Sequence, residues 1–326
     1  MADMTNQLTI PANLVPKLWA RKVWREGLKE SYFEKFTSTD GKNVVHRNND
    51  LKQAKGDKVT FGLAMNLTGA GVVGTRATLK GKEDQLSIYD FSVPVDLIRN
   101  AVTRYEAEDQ KSPYDNLPLI KSALTQWLSD YLDDTLMTKL SANPTAGEVM
   151  YAASAGAVAG TTATDKLTCS LISAARRKAK MHAPKVNPIK VDGQDKYIML
   201  VSPWAARDLK DDPVWQAAQQ NANVRGDKNP IFSGALGEYD GVVLYEYERV
   251  VTANSGASGA TINRNLLLGT QAACFGVASE PRRISQTDDY GNVQGNGISI
   301  MAGIEKSKYN SKDYGVIQVI TGGKID

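Results

Sequence analysis

Two runs of alternating apolar and polar residues lie in the first third of the chain. Residues 58–67 alternate strictly, and residues 89–95 repeat the pattern. Because successive side chains of a β-strand point to opposite faces, this alternation predicts two strands that each bury one face. The segment between them, residues 68–85, is rich in Gly, Lys and Thr. The sequence therefore predicts an extended β-arm with a long loop, and loops of this length are usually functional or disordered.

The strongest helical pattern covers Asn116–Ser141. Its apolar residues recur at three- and four-residue spacing and fall mostly on one broad face. Pro113 stands before this segment and Pro144 after it, which fits both ends of a helix. At a rise of about 1.5 Å per residue, the helix would be about 35–40 Å long. A helix of that length can run across a whole domain.

A second amphipathic helix is predicted near the start of the chain, over residues 14–36. Trp24, Leu28, Tyr32 and Phe36 follow one another at four-residue intervals, as one face of a helix requires. Two interpretations stay open. The helix packs on its own domain, or it is an arm that lies on a neighbouring subunit.

The second half of the chain predicts a mixed α+β structure without an internal repeat. Residues 151–164 are small and indicate a linker between two lobes. Thr164 is predicted to cap a helix that ends near Met181, and Ser202-Pro203 to begin another that runs through Leu209. The turn dipeptides are Asp192-Gly193 and Asp240-Gly241. Short apolar runs predict strands at residues 197–201, 242–247, 266–268, 298–301 and 316–320.

Composition and charge are those of an ordinary folded protein. Hydrophobic residues make up 42% and charged residues 23%, and the net charge is +3. Dedicated nucleic-acid binders usually show a stronger and more clustered basic excess. Cys169 and Cys274 have no CxxC spacing, so we expect two buried free thiols in a reducing compartment. We expect neither a membrane span nor a secretory signal, and therefore a cytoplasmic origin.

One motif imitates a dinucleotide-binding site. Gly69-Ala-Gly71-Val-Val-Gly74 matches GxGxxG after a predicted strand. A dinucleotide site also needs a helix that opens at this turn and an acidic residue about 20 residues later. Residues 75–82 show no helical period and contain another glycine. We interpret these glycines as loop residues and expect no cofactor.

The residues that enzymes most often use are not arranged in a catalytic pattern. The two histidines, His46 and His182, lie in no catalytic motif, and GxSxG, HExxH and GxxxxGK[ST] do not occur. Residues adjacent in sequence point away from each other, so paired carboxylates seldom share one site. We expect no catalytic or metal-binding residues, and we interpret Asp288-Asp289 as part of a solvated turn.

Three stretches resemble the major capsid proteins of tailed bacteriophages, in the podovirus-like branch. The first consists of Lys55-Gly-Asp57-Lys-Val-Thr-Phe61, Leu67-Thr-Gly69, Leu79-Lys-Gly81-Lys-Glu83 and Val93-Pro-Val-Asp96-Leu-Ile-Arg99-Asn-Ala-Val102. The second consists of Tyr197-Ile-Met-Leu-Val-Ser-Pro203, Asp208-Leu-Lys210, Asp212-Pro-Val-Trp215 and Asn229-Pro-Ile-Phe232-Ser-Gly234-Ala-Leu-Gly237. The third consists of Gly303-Ile-Glu-Lys306 and Asp313-Tyr-Gly315-Val-Ile-Gln-Val-Ile-Thr321.

The resemblance implies an α+β fold of the HK type. It implies an N-terminal arm over residues 1–50 and an extended loop over residues 51–98. A peripheral domain with a long spine helix would follow over residues 99–163. Residues 164–326 would form an axial domain with a C-terminal strand that returns to the peripheral domain.

The resemblance also implies what the protein contacts. Subunits would assemble into pentamers and hexamers of an icosahedral virion shell in the host cytoplasm, around packaged double-stranded DNA that is bound non-specifically. A separate scaffolding protein and a portal are implied, a decoration protein is a further candidate partner, and we expect no covalent cross-link between subunits. The arm and the extended loop would make the intersubunit contacts through Trp19, Arg21, Trp24, Arg25, Gly69, Gly71, Gly74, Arg76, Lys80 and Lys82.

Three other classes of protein compete with this interpretation. One of them, a tail or portal-associated structural protein, would form single rings. An encapsulin-like shell protein of the same fold would enclose a protein cargo instead of nucleic acid. A soluble two-lobed enzyme would show one polar pocket with perturbed ionisable groups.

Overall fold

The computed structural model describes most of the chain. The described residues are 31–52, 56–64, 67, 69, 71–74, 77–112, 116–152, 156–182, 185–191, 193–221 and 236–323. The strands are β1 (Thr37–Ser38), β2 (Val45–Asn48), β3 (Lys58–Ala64), β4 (Ile88–Pro94), β5 (Asp96–Tyr105), β6 (Val149–Tyr151), β7 (Ile189–Val191), β8 (Gln194–Val201), β9 (Gly237–Tyr239), β10 (Val242–Glu246), β11 (Thr252–Ala253), β12 (Ile262–Leu268), β13 (Ala273–Asp288), β14 (Val293–Lys306), β15 (Lys308–Tyr309), β16 (Lys312–Asp313) and β17 (Val316–Gly322). The α-helices are α1 (Glu106–Lys111), α2 (Asn116–Ser141), α3 (Cys169–Met181), α4 (Pro203–Lys210) and α5 (Pro213–Asn221).

The second half of the chain is built around an eight-stranded mixed sheet. Its main strand order is β6-β17-β12-β8-β10-β9, with β7 and β11 paired at the side. Ile198 and Leu200 of β8 face one hydrophobic cluster, and Tyr197, Met199 and Val201 face another. Strand β8 is therefore apolar at successive positions because both faces of the sheet are covered.

A second sheet has five strands in the order β1-β2-β13-β14-β5. Strands β13 and β14 form a long antiparallel hairpin. Every residue of β5 pairs with the outer side of β14. Ile298 and Ile300 of β14 belong to the same hydrophobic cluster as helix α2. One face of this sheet therefore packs on α2.

Helix α2, which we call the spine helix, lies between the two sheets. It covers the predicted residues and buries Leu124, Leu128, Leu132, Leu136 and Leu140. These side chains share one cluster with residues of both sheets. The spine helix thus joins the two sheets through one apolar core.

Caps and turns explain several element boundaries. The Ser202 hydroxyl group accepts a hydrogen bond from the Ala205 amide at 3.1 Å, so the predicted start of α4 is confirmed. Asp240 and Gly241 join β9 to β10 with positive φ angles of 47° and 68°, as a tight hairpin turn requires.

The predicted cap at Thr164 is wrong. Helix α3 begins at Cys169 with Thr168 as its cap. The reason is local, because the Asp165 carboxylate accepts hydrogen bonds from both the amide and the hydroxyl group of Thr162. These bonds hold residues 162–165 in a turn before the helix.

The end of the predicted N-terminal helix is also wrong. Most of residues 14–36 lie outside the described residues, but residues 34–36 form a short 3-10 helix instead of an α-helix. Phe33 and Phe36 are buried and stack edge-on against Tyr247 and Tyr245 respectively. Packing of these rings, and not helical periodicity, fixes the local backbone.

The sheets do not follow the contiguous ranges that the sequence predicts for the domains. Residues 273–306 fall in the predicted axial range, yet they form β13 and β14 beside β5. The C-terminal strand β17 pairs with β12 and with β6, and β6 falls in the predicted peripheral range. The boundaries of the four predicted regions stay a prediction.

Both cysteines are free and buried, as predicted. Burial raises the pKa of the Cys274 thiol to about 11. No helix in the described part of the chain is long and apolar enough to cross a membrane.

Candidate assembly surfaces

Strands β3 and β4 form the predicted extended hairpin. They pair in antiparallel register from Lys58 opposite Pro94 to Ala64 opposite Ile88. At the base, Val59, Phe61 and Val93 are buried. Farther out, apolar side chains are exposed, at 62% for Leu67, 93% for Val73, 56% for Leu79, 58% for Leu86 and 68% for Ile88. The hairpin is therefore anchored at its base and carries an uncovered apolar surface at its far end.

The loop at the far end is organised by local hydrogen bonds. The Gly69 amide donates to Asp84 Oδ2 at 2.6 Å, which ties the two sides of the loop together. The Lys82 amide donates to the Leu79 carbonyl oxygen at 2.9 Å. Gly81, at the third position of this turn, has a φ of +81°, which fits the type II turn. The turn places Lys80 and Lys82 on the solvent side.

The described loop residues of the predicted contact set are all exposed to solvent. Gly69, Gly71, Gly74, Lys80 and Lys82 all lie in the loop between β3 and β4 and are exposed. The glycines of the GxGxxG match are loop residues, as predicted. The other members of the set lie outside the described residues, so their contacts stay a prediction; these are Trp19, Arg21, Trp24, Arg25 and Arg76.

Two glycines form the platform on which the hairpin rests. Gly276 and Gly303 are directly paired across β13 and β14. A Cβ atom at Gly303 would lie 1.9 Å from the Pro94 carbonyl oxygen, and one at Gly276 would lie 2.7 Å from a Val59 methyl group. Only a residue without a side chain permits this approach. The glycine pair therefore fixes where the extended hairpin leaves the five-stranded sheet.

The β13–β14 hairpin is the main surface that the sequence missed, because the sequence predicted only residues 298–301 of it as a strand. Pro281 lies within β13, and proline normally argues against a central strand. Strand β2 pairs only with residues 273–276 of β13, and the pairing with β14 shifts register between Val277 and Arg282. Pro281 thus lies where β13 has a partner on one side only. At the tip, Tyr290 is fully exposed, in the solvated turn predicted for Asp288-Asp289.

The N-terminal arm enters the body of the subunit beside the spine helix. Asp133 Oδ1 accepts a hydrogen bond from the Ser31 hydroxyl group at 2.6 Å, and Asp133 Oδ2 accepts one from the Tyr32 amide at 2.8 Å. The Tyr32 ring stacks on Tyr247 at a centroid distance of 4.3 Å. Burial raises the pKa of Asp133 while these hydrogen bonds oppose the rise. The start of the described chain is therefore held on its own subunit.

A buried group of charged side chains connects the C-terminal end of the spine helix to strands β14 and β16. The Lys306 ammonium group donates to Asp313 Oδ2 at 2.6 Å and to the carbonyl oxygens of Ala142 and Asn143. Nearby, the Glu148 carboxylate is buried without a hydrogen-bond partner among the described residues. Burial, followed by the charge of Asp313, raises the pKa of Glu148 to about 8. His182 lies 4.0 Å away, and these groups form a structural junction.

No group of three or more metal-ligating side chains occurs among the described residues. Three open clefts in the described part of the chain lie along the spine helix. The exposed loop and these clefts offer surfaces for contact with other molecules.

Comparison with known proteins shows to which family this fold belongs. A family model described as phage capsid protein matches residues 12–148 and 142–325. The chain is 26% identical to the major capsid protein of Pseudomonas phage KPP25, over 93% of each chain. Its fold is similar to the capsid of Ralstonia phage GP4, with a TM-score of 0.80, 27% identity, and coverage of 90% of this chain and 92% of the other. It is also similar to the capsid of Cyanophage Pam1, with a TM-score of 0.81, 22% identity, and coverage of 92% and 94%.

An encapsulin from Synechococcus elongatus shares the fold at 9% identity, with a TM-score of 0.52 and coverage of 85% and 84%. This distant likeness concerns the fold alone and does not favour the encapsulin alternative. The predicted HK-type capsid fold and the predicted major capsid function are confirmed. The chain belongs to the phage capsid protein family and is a structural shell protein of the virion.

Proposed function

We propose that this chain builds an icosahedral shell of pentamers and hexamers in which the extended hairpin of each subunit overlaps its neighbour. The observation that supports this proposal is the exposed apolar surface of the loop, formed by Leu67, Val73, Leu79, Leu86 and Ile88. A monomeric protein rarely exposes a contiguous apolar surface without a partner for it. A neighbouring subunit is the partner that a shell supplies.

The charges of the loop would set the register of this contact. Lys80 and Lys82 are exposed at the turn, and Arg76 precedes them in the sequence. Exposed charges contribute little affinity singly but discriminate between orientations of two surfaces. We propose that they face acidic residues of the neighbouring subunit.

The remaining parts of the assembly are also proposals. A separate scaffolding protein would set the curvature of the shell, a portal would occupy one vertex, and a decoration protein would bind outside if one exists. Double-stranded DNA would fill the interior through non-specific contacts, after assembly in the host cytoplasm. The chain would act without catalysis. The spine helix and residues 273–306 would belong to the peripheral domain, and the eight-stranded sheet with α3, α4 and α5 to the axial domain.

Removal of the loop tests the proposal directly. Replacement of residues 66–86 by Asn-Gly joins β3 and β4 through a two-residue turn that suits an antiparallel hairpin. Negative-stain electron microscopy would compare this variant with the wild type, each co-expressed with the neighbouring genes of its genome. We expect closed shells from the wild type, and folded subunits without shells from the variant.

A milder variant and its control test the apolar side chains of the loop without changing the length of the loop. Leu79→Ser with Leu86→Ser removes apolar surface and keeps the loop, while Met181→Ser removes an apolar side chain that is 79% exposed elsewhere. We expect the loop variant to reduce shell yield and the Met181→Ser control to assemble normally. Equal shell yields from all of these variants would contradict the proposed role of the loop.

A further inference from the structure

Strand β5 forms one edge of the five-stranded sheet. It is the last strand in the order and, within the described part of the chain, it has a strand partner on one side only, which is β14. The pairing with β14 is regular over all ten residues, without a bulge or a proline. Natural proteins often shorten or interrupt such an edge, because its unpaired N–H and C=O groups pair readily with another strand. Strand β5 is therefore a long and regular edge that suits pairing with another chain.

One backbone group shows which residues face this free edge. The Ala101 amide donates to the side-chain oxygen of Asn100 at 2.9 Å, on an exposed part of the strand. An amide that is bonded in this way is not paired with β14, so it points away from that strand. Backbone groups of alternate residues point to the same side of a strand. The odd-numbered residues of β5 therefore direct their N–H and C=O groups to the free edge.

Neighbouring elements bound the free edge at both ends. The Val95 amide donates to the Asp57 carbonyl oxygen at 3.0 Å, so the start of β3 occupies the position before Asp96. At the other end, β5 stops at Tyr105 and helix α1 begins. An incoming strand therefore fits only along Asp96–Tyr105.

Exposed apolar side chains accompany the free edge. Leu97 is 47% exposed, Val102 37% and Tyr105 48%. Ile98 packs against the hydrophobic cluster that contains the spine helix, and Val102 lies on the same face of β5 because alternate residues share a face. A partner strand would extend this core and cover side chains that the described part of the subunit leaves in solvent.

A second copy of β5 complements this edge in charge and in apolarity. Two antiparallel copies related by a two-fold axis contact each other through identical surfaces. Opposite residues share a face of the sheet, so one residue of β5 must lie opposite its own copy. With Asn100 in that position, Asp96 lies opposite Arg104 and Ile98 lies opposite Val102. Each of these pairs occurs twice.

The two charged side chains are free to make this contact. Asp96 is exposed and has no ion-pair partner among the described residues. Arg104 contacts Asp109 and Gln294 of its own subunit. A guanidinium group carries five N–H donors, so Arg104 can keep both contacts and also bind Asp96 of the second copy.

The other registers fit less well. With Arg99 opposite its own copy, two guanidinium groups would meet. With Ala101 in that position, Asp96 would lie opposite Glu106. Like charges directly opposite each other destabilise a strand pair. Larger shifts pair fewer residues, because β3 and α1 bound the edge.

We propose that β5 pairs with β5 of a second subunit, antiparallel across a two-fold axis, with Asn100 at the axis. The two five-stranded sheets then form one continuous sheet. This contact would join subunits of the shell proposed above, and it involves no residue of the loop between β3 and β4. It can therefore be tested separately from the role of that loop.

Disulfide trapping in the full chain tests this pairing. In the proposed register the Asn100 Cα atoms of the two copies lie about 4.5 Å apart, as in a non-hydrogen-bonded pair, which is within the range of about 4.4–6.8 Å that a disulfide spans. The native cysteines are buried. We expect Asn100→Cys to form a disulfide-linked dimer on mild oxidation, both in shells from co-expression and in concentrated unassembled subunits. Non-reducing gels measure the yield, and mass spectrometry identifies the joined peptides.

Two matched variants control for chance encounters. Val102→Cys should give at least about tenfold less dimer than Asn100→Cys, because its two thiol groups would be four residues apart along the strand, at about 13 Å. In the Asn100→Cys chain, Asp96→Lys should lower the dimer yield at least about fivefold, since it places a like charge opposite Arg104. Asp195→Lys reverses an exposed carboxylate on β8 and should leave the yield unchanged.

Three outcomes would overturn the proposal. More dimer from Val102→Cys than from Asn100→Cys would show that the strands do not pair in this register. Closed shells and concentrated subunits that both lack the Asn100→Cys dimer would show that the two edges do not meet. Equal yields with and without Asp96→Lys would exclude the ion pairs that select the register. A dimer that forms without shells would support this contact and count only against the proposed shell.

Discussion

Leucine side chains of the eight-stranded sheet and of the extended hairpin end in opposite environments. Leu200 of β8 is fully buried, whereas Leu79 of the loop is 56% exposed. Helices α3 and α4 cover one face of the sheet and the spine helix covers the other. Among the described residues, the hairpin is covered only at its base. The sheet is covered within one subunit, whereas the function that we propose gives the far end of the hairpin its cover only in an assembly.

Mutations in the sheet and mutations in the loop are therefore expected to have different effects. Changes in the sheet should unfold the subunit, and assembly should fail as a result. Changes in the loop should leave the subunit folded and affect assembly alone. Four measurements test this expectation.

The largest effect on folding is expected from Leu200→Ala. Removal of a fully buried leucine side chain costs about 2–5 kcal/mol of unfolding free energy through lost burial and the cavity that remains. The exposed counterpart Leu79→Ala should change the unfolding free energy by less than about 0.5 kcal/mol. Denaturant unfolding of both variants measures the difference, and similar losses would contradict the comparison.

A smaller loss is expected at the hairpin platform, in Gly303→Ala. The new Cβ atom would lie 1.9 Å from the Pro94 carbonyl oxygen, so the hairpin base must shift, at a cost of about 1–3 kcal/mol. Gly295→Ala on the same strand is the matched control, because its Cβ atom would lie 3.6 Å from the nearest atom. We expect Gly303→Ala to lower both stability and shell yield. If the control lowered both equally, close approach at Gly303 would not be the cause.

The pH dependence of the unfolding free energy reports on the buried group of charges that contains Glu148, Lys306 and Asp313. The folded state holds the Glu148 proton up to about pH 8, above the ordinary pKa of 4.5. Between these values the folded state binds more protons than the unfolded state, so stability should fall as pH rises through this window. We expect a decline of about 1–3 kcal/mol, comparable to the cost of a buried unsatisfied polar group. Thermal unfolding of Glu148→Gln should show a weaker decline than the wild type, and an equally steep decline would exclude Glu148 as its source.

The smallest effect is expected from Arg249→Ala. Its guanidinium group contacts Asp130 at 2.6 Å and Asp134 at 3.0 Å, but all of these side chains are partly exposed. Partly exposed ion pairs usually contribute about 0.2–1 kcal/mol. Thermal unfolding at low and high salt should show a small loss that salt reduces. A loss of several kcal/mol would mean that this contact is structurally central.

The sequence predicted the elements whose signals are local. The spine helix buries leucines at a regular four-residue spacing from Leu124 to Leu140, and β3 and β4 alternate because each buries one face at the base. Ser202 and Pro203 mark a helix start through short-range chemistry that does not depend on distant residues.

The sequence did not predict elements that depend on distant partners. Strand β13 contains Pro281 and two register shifts, so its alternation is interrupted, and only pairing with β14 makes it a strand. The platform glycines Gly276 and Gly303 lie 27 positions apart in the numbering and become a pair only across that hairpin. The loop between β3 and β4 could be predicted from the sequence. The exposure of its apolar side chains could be seen only in the folded structure.

Cryo-electron microscopy of the assembled particle would show whether a neighbouring subunit covers the loop between β3 and β4. We expect closed shells in which the loop around Leu79 contacts an adjacent subunit and its apolar side chains become buried. Closed shells in which this loop still projects into solvent, without contact to a neighbour, would contradict the account.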